Sequence, residues 1–269
     1  MAARFGLLSR WVAGIGIVLA TTASMPATGR GSASAGGDEG RSSFEPWLSQ
    51  IGLPSDPPAL MRLVVDGANP EVRGRAALAL GYLPRQASGE ILLEVARADP
   101  AQWVRRQAWL ALARQGDPDA QAPLAAILER EDSLIGAVFF AGELAEVGDP
   151  QGFRVVAQAA ASALPYERAF AAGELCGFLP LRRDPRVEGD PIALLARLSA
   201  DPEARVRAQA LMGLSCVVRS GERSSQVATA IALRLEHESD PVVRDLALLV
   251  QLDSAKPPAA SPPRGSPER

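Results

Sequence analysis

One helical pattern returns six times along this chain, and it limits the fold more than any other feature. Its clearest copy runs Val104-Arg105-Arg106-Gln107-Ala108-Trp109-Leu110-Ala111-Leu112, and on to Gly116-Asp117-Pro118. With Val104 as the first position, equivalents fall at Val72, Val104, Gly136, Glu167, Val206 and Val243. The second position reads Arg73, Arg105, Ala137, Arg168, Arg207, Arg244. The fifth reads Ala76, Ala108, Phe140, Ala171, Ala210, Ala247, and the ninth Leu80, Leu112, Leu144, Leu175, Leu214, Gln251. Self-similarity at thirty to forty residues means supersecondary units that bury their apolar faces only by stacking. The pattern therefore predicts an all-α, right-handed α-solenoid of about six helical hairpins.

Each repeat reads as two helices joined by a tight turn, with apolar residues at three- and four-residue spacing. The predicted pairs are 58–66 with 70–83, 89–98 with 100–115, 118–130 with 133–147, 150–163 with 165–179, 191–200 with 202–219, and 223–238 with 240–252. Asp99-Pro100, Asp201-Pro202 and Asp240-Pro241 are expected to open second helices. Gly116-Asp117-Pro118, Gly148-Asp149-Pro150 and Gly189-Asp190-Pro191 are expected to open first helices. Aspartate caps free N–H groups, proline suits the first helical position, and glycine ends the preceding helix in a left-handed conformation.

The ends read differently. Arg4, Arg10 and the apolar run Trp11–Ala20 mark residues 1–27 as a signal peptide or N-terminal anchor. Residues 28–43, rich in Gly, Ser and Ala, read as a flexible linker. The solenoid takes 44–252, and 253–269 reads as a disordered Pro-rich tail. The formal net charge of −3 excludes a strongly basic nucleic-acid footprint. Only 5% of residues are aromatic, so alanine and leucine carry the packing.

The pattern Val-Arg-x-x-Ala-x-x-Ala-Leu-x-x-x-Gly-Asp-Pro resembles the HEAT-like repeats of phycobiliprotein lyases and of many bacterial scaffold proteins. The resemblance covers about 58–252. It implies an all-α superhelix whose second helices line one face and bind other proteins; a few members handle bilin pigments. Another HEAT-like group holds two irons through repeated His-Glu pairs. Here His237-Glu238 is the one such pair, so that chemistry is not expected.

Five features are candidates for function. The second-position arginines form either a cationic stripe or a ladder between repeats. The ladder is favoured, because aspartates of the Asp-Pro turns recur in step with them. Glu143 and Glu174 put carboxylates about 10 Å apart in adjacent second helices, at the eighth position, where Ala79, Ala111 and Gly213 are small. A buried carboxylate needs a partner, and Arg168 or Arg105 is the expected one, ahead of an outside cation. Cys176 and Cys216 lie in adjacent second helices, one position out of step. That offset favours two reduced core cysteines over a bridge. The segment 180–188 lengthens one repeat and carries Arg182, Arg183 and Arg186, a loop suited to an acidic partner or lipid headgroups. Trp103, Trp109, Phe139, Phe140 and Phe170 read as packing residues.

These features predict a periplasmic or secreted scaffold that binds another protein through Arg75, Arg106, Gln107, Glu143, Glu174, Arg182, Arg183 and Arg186. No enzyme activity, cofactor, metal or nucleic acid is expected. Membrane contact is expected only through an uncleaved N-terminal segment. The alternatives are a lyase-type protein handling bilin or another cofactor, and a membrane-tethered assembly subunit.

Overall fold

A computed structural model describes residues 48–221 and 224–255. The predicted signal segment, the linker and most of the Pro-rich tail lie outside the described residues. Two units divide the chain between Leu60 and Met61. In the first, Leu48 and Leu53 are buried, and Gly52 takes a left-handed φ of 74° between them. Asp56 then accepts from the amide of Ala59 as the first helix begins.

There is no strand among the described residues, and from Pro57 on twelve α-helices succeed one another: α1 (Pro57–Asp66), α2 (Pro70–Leu80), α3 (Arg85–Ala98), α4 (Gln102–Arg114), α5 (Gln121–Glu129), α6 (Leu134–Glu146), α7 (Phe153–Ala159), α8 (Pro165–Phe178), α9 (Pro191–Leu198), α10 (Ala204–Arg219), α11 (Ser225–His237) and α12 (Pro241–Ser254). The even-numbered helices are the predicted second helices. Their fifth positions, Ala76, Ala108, Phe140, Ala171, Ala210 and Ala247, are all fully buried. So are the ninth-position leucines, Leu80, Leu112, Leu144, Leu175 and Leu214. The repeat therefore stands in one register throughout, with the same side chains turned inward in every hairpin. Gln251 is exposed, as the end of a stack allows.

The turn chemistry matches expectation, with one shift of place. Gly116 and Gly148 take φ of 78° and 83°. The next amides along, on Asp117 and Asp149, reach back to the carbonyls of Leu112 and Leu144. That is the two-bond glycine cap that closes a helix. Asp117 and Asp149 then open short 3-10 turns at Pro118–Ala120 and Pro150–Gly152, and α5 and α7 start after them. Asp99 and Asp201 do not cap α4 and α10 directly. Their carboxylates accept from Ala101 and Glu203, two residues on, and the helices begin later. This frees the carboxylates for the arginines of the hairpin before. At the other end α12 runs to Ser254, two residues past the predicted limit.

Consecutive second helices pack closely at four of five steps: α2 on α4, α6 on α8, α8 on α10, and α10 on α12. The exception is α4 and α6. Five repeats carry alanine at the fifth position, which lets backbones approach. The third carries Phe140, and the guanidinium of Arg106 lies over its ring, 4.3 Å from the centroid. Large side chains thus fill a wider seam between the second and third hairpins.

Candidate functional site

The arginine column is a ladder. Arg73 grips both carboxylate oxygens of Asp99 at 2.8 and 3.0 Å and also donates to the carbonyl of Gly67. Arg168 does the same with Asp201 and the carbonyls of Ser162 and Ala163. Arg207 does so with Glu238 and the carbonyls of Asp201 and Pro202. Each arginine ties the end of its own first helix to the turn of the next hairpin. The Arg73 guanidinium holds the Asp99 carboxyl below its usual range, and Arg207 does the same to Glu238. Glu238 is thereby committed to Arg207, while His237 is exposed beside Glu236.

The ladder has a gap. Among the described residues Arg105 donates only to the carbonyls of Asp99 and Pro100, with no carboxylate from the third hairpin, and the third hairpin has Ala137 where the others have arginine. Different charges take over there. Arg106 pairs with Glu143, and Arg114 lies 3.7 Å from Glu146. The Arg114 guanidinium also sits over the Tyr82 ring, 4.2 Å from its centroid. The seam is short of acceptors: Nε of Arg106, Nη1 of Arg114 and Nε2 of Gln107 are buried without a hydrogen-bond partner among the described residues.

Glu174 stands next in line on α8. Among the described residues no guanidinium pairs with it. The expectation of an internal partner in Arg168 or Arg105 fails for a geometric reason. Second-position arginines reach toward the turn at the start of their helix, and the eighth position lies nearly two turns away. Glu143 instead meets the third-position Arg106 of the preceding repeat. Glu174 lies against the bare backbone of Gly142, where any Cβ would collide with its carboxylate. Desolvation, with Glu146 and Glu143 close by, pushes its carboxyl up to about 7.

That shift has a stability consequence. The unfolded carboxyl ionises near 4.5 and the folded one near 7. Between those values the folded state holds more protons, so stability falls as pH rises through this window and levels off above it. Glu174→Gln should remove that slope. Urea midpoints at pH 5 and pH 7.5 test it, and an identical pH slope in variant and wild type would refute it.

Around these charges the second-helix face is aromatic. Trp103 is 41% exposed and Tyr166 43% exposed, at equivalent places just before the first position of their repeats. Phe139 and Phe170 meet edge to face at 5.0 Å. The expectation that these rings are packing residues holds for Phe140, which is fully buried, and for Trp103, which lies against Gly74 of the preceding repeat while leaving 41% of its surface exposed.

The remaining predicted site residues are scattered. Gln107 is only 2% exposed, so it is not a surface contact; its helix turns the fourth position inward. Arg75 pairs with Glu71 on its own helix. Arg186 is held by Asp184 within its loop at 2.8 Å. Arg182 and Arg183 line a cavity of about 500 Å³ with Asp190, Ser224 and Gln226, away from the seam. Cys176 and Cys216 are joined in a disulfide, with Cα atoms 6.1 Å apart, against the expectation of two free thiols. Close packing of α8 on α10 brings the tenth position of one repeat against the eleventh of the next, so the offset that argued against the bridge is what permits it.

Glu146, Arg114 and Tyr82 are site residues that the sequence pattern did not single out. A signal was there: all three occupy the eleventh position of successive repeats.

Comparison with known proteins addresses the architecture. Residues 48–138 match the family of HEAT repeats. No curated protein matches the chain. Among solved structures it is similar to the complex of CpcE and CpcF of phycocyanin lyase from Nostoc sp. PCC7120, with 22% identity over 72% of this chain and 97% of that one, at a TM-score of 0.33. It is also similar to human deoxyhypusine hydroxylase in complex with glycerol, with 18% identity over 81% of each chain, at a TM-score of 0.36. The expectation that the chain is not an enzyme is corrected by these findings, since a lyase and a hydroxylase stand among the similar structures. Their chemistry remains theirs. The match to HEAT repeats covers residues 48–138, and the same two-helix unit goes on to Ser254.

Proposed function

We propose that the second-helix face of α4, α6 and α8 binds a segment of another protein, outside the cytoplasm. The observation that carries this reading is the composition of that face. Trp103, Tyr166, Phe139 and Phe170 share that face with half-buried charges: Arg106 with Glu143, and Glu174, which no guanidinium among the described residues meets. Aromatic side chains and arginine in partly desolvated surroundings are the residues that dominate binding energy at protein interfaces. A rigid stack presents them preorganised, which lowers the ordering cost of association. Glu174 favours a basic or hydrogen-bond-donating side chain on the partner. The Cys176–Cys216 disulfide supports an oxidising compartment, in line with the signal-like residues 1–27.

Peptides selected from a displayed library against the folded chain test the reading. Trp103→Ala and Tyr166→Ala should each weaken the selected peptides about tenfold or more, corresponding to ~1.4 kcal/mol. Arg183→Ala, on the distant loop, should leave them unchanged. The opposite pattern would move the site to the loop.

A further inference from the structure

We propose that the outer face of α12 is a docking surface for an α-helical hairpin of another protein, one whose connecting turn carries an aspartate or glutamate. Three observations point to it, all independent of the face on α4, α6 and α8.

The first is register. Within the stack, the third and tenth positions of a second helix face the next second helix, as the seventh does in the third hairpin. At the third position, Gly74 lies against the Trp103 ring, and at the seventh, Gly142 lies against Glu174. At the tenth, Gly81 lies against Ala111, and Cys176 is bonded to Cys216. In α12 these positions are Asp245, Leu249 and Leu252. Leu249 is 52% and Leu252 63% exposed, with Leu248 beside them also exposed. Met212, the seventh residue of the α10 repeat, is itself 51% exposed, so the exposure peculiar to the last described helix is that of Leu252 and of Leu248, whose sixth-position equivalents Ala77, Ala141, Ala172 and Leu211 are fully buried. Solenoid ends are ordinarily closed by a polar outer face, and this one exposes Leu248 and Leu252.

The second observation is the last rung of the ladder. Arg73, Arg168 and Arg207 each use Nε and Nη2 to hold a carboxylate from the turn of the following hairpin. Arg244 occupies the same position and, among the described residues, bonds only the carbonyl of Glu238, through Nη2, with Nε left without a partner. Its side chain is exposed, and the edge that elsewhere holds a carboxylate carries none among the described residues. A planar guanidinium with two parallel donors recognises a carboxylate through both oxygens.

The third observation separates occupants. A second copy stacked head to tail would offer its first turn to Arg244. That turn carries Asn69 where the internal turns carry Asp99 and Asp201. An amide cannot accept both bonds as a carboxylate does. The complement of this face is therefore a hairpin with an acidic turn and an apolar second helix, from a different chain.

The probe is a synthetic peptide of residues 190–221 with Cys216→Ser. Inside the protein this hairpin packs on α8, and its Asp201 is held by Arg168. Titrated against the full chain, it should bind in the micromolar range. Leu252→Asp should abolish binding, and Arg244→Ala, or Asp201→Asn in the peptide, should weaken it at least tenfold. The same hairpin appended behind Ser254 of the full chain gives a readout that does not depend on the peptide folding alone. It should add helical signal, and Leu252→Asp should remove the gain. Binding that ignores these substitutions would overturn the proposal. So would absence of binding together with an appended hairpin that stays unfolded. Self-association of the full chain, abolished by Leu252→Asp, would put a second copy on this face and overturn it as well.

Discussion

Arg207→Ala should lower the stability of this protein by about 3 kcal/mol, several times the effect of Arg105→Ala. Removing one partner of a buried ion pair leaves the other charge desolvated and costs roughly 3–5 kcal/mol. Arg207 and Glu238 are such a pair, with side chains 10% and 1% exposed. The lower figure applies because Arg234, 3.7 Å away, and the amide of Asp240 still face the Glu238 carboxylate. Arg105 has no carboxylate to abandon, and its two carbonyl bonds amount to about 1 kcal/mol. Its truncation is the control. Replacing both members of the pair, Arg207→Met with Glu238→Leu, should restore most of the loss, since a packed apolar pair substitutes well for a buried ionic one. The Arg207→Ala loss should also shrink in acid. Arg207 depresses the Glu238 pKa, so the pair's stabilisation is present above the carboxyl's unfolded value and is lost as pH falls through the depressed one. Urea midpoints of wild type and the three variants at neutral pH, and of wild type and Arg207→Ala in acid, check every part of this. Equal losses at Arg207 and Arg105 would mean that the ladder is not what ties hairpin to hairpin.

Reduction of the Cys176–Cys216 bridge, or Cys216→Ser, should cost about 4 kcal/mol. The two cysteines are 40 residues apart in sequence, and the loop-entropy relation for a cross-link of that span gives this magnitude. The bond joins the fourth hairpin to the fifth through their second helices. In a stack whose stability is the sum of hairpins and the contacts between neighbours, its loss should fall first on α8, α10 and the helices C-terminal to them. Chemical unfolding with and without reductant measures the total. Hydrogen exchange should show α10 to α12 opening before α2 and α4 once the bridge is gone. A midpoint that does not move with reductant would show that close packing of α8 on α10 holds this junction without the covalent link.

The parts of the molecule that were legible in the sequence are those fixed by period. The fifth and ninth positions could be named as core from the repeat alone, because identical residues recur at identical phase and only stacking buries them all. The arginine ladder was legible for the same reason: Asp99 and Asp201 recur in step with Arg73 and Arg168. What the period hid was departure from itself. Phe140 at an alanine position widens the seam at α4 and α6, and the partner of Glu143 then changes from a second-position to a third-position arginine. Glu174 lost its expected partner because a column in the sequence gives phase around the helix but not the direction in which a long side chain reaches along it. The disulfide was misread for a related reason. The offset between neighbouring second helices is a property of their packing, and a column aligned by sequence sets it to zero. Arg75 and Gln107 show the limit of choosing contacts by charge and polarity alone: one is engaged on its own helix and the other points into the stack.

Binding of a protein segment on the second-helix face of α4, α6 and α8 is tested most directly by hydrogen–deuterium exchange of the full chain, with and without a saturating library-selected peptide. Slowed exchange is expected in 102–114, 134–146 and 165–178, with little change at 180–190 or in α11 and α12. Protection confined to the arginine loop, or to the first helices α3, α5 and α7, would contradict it.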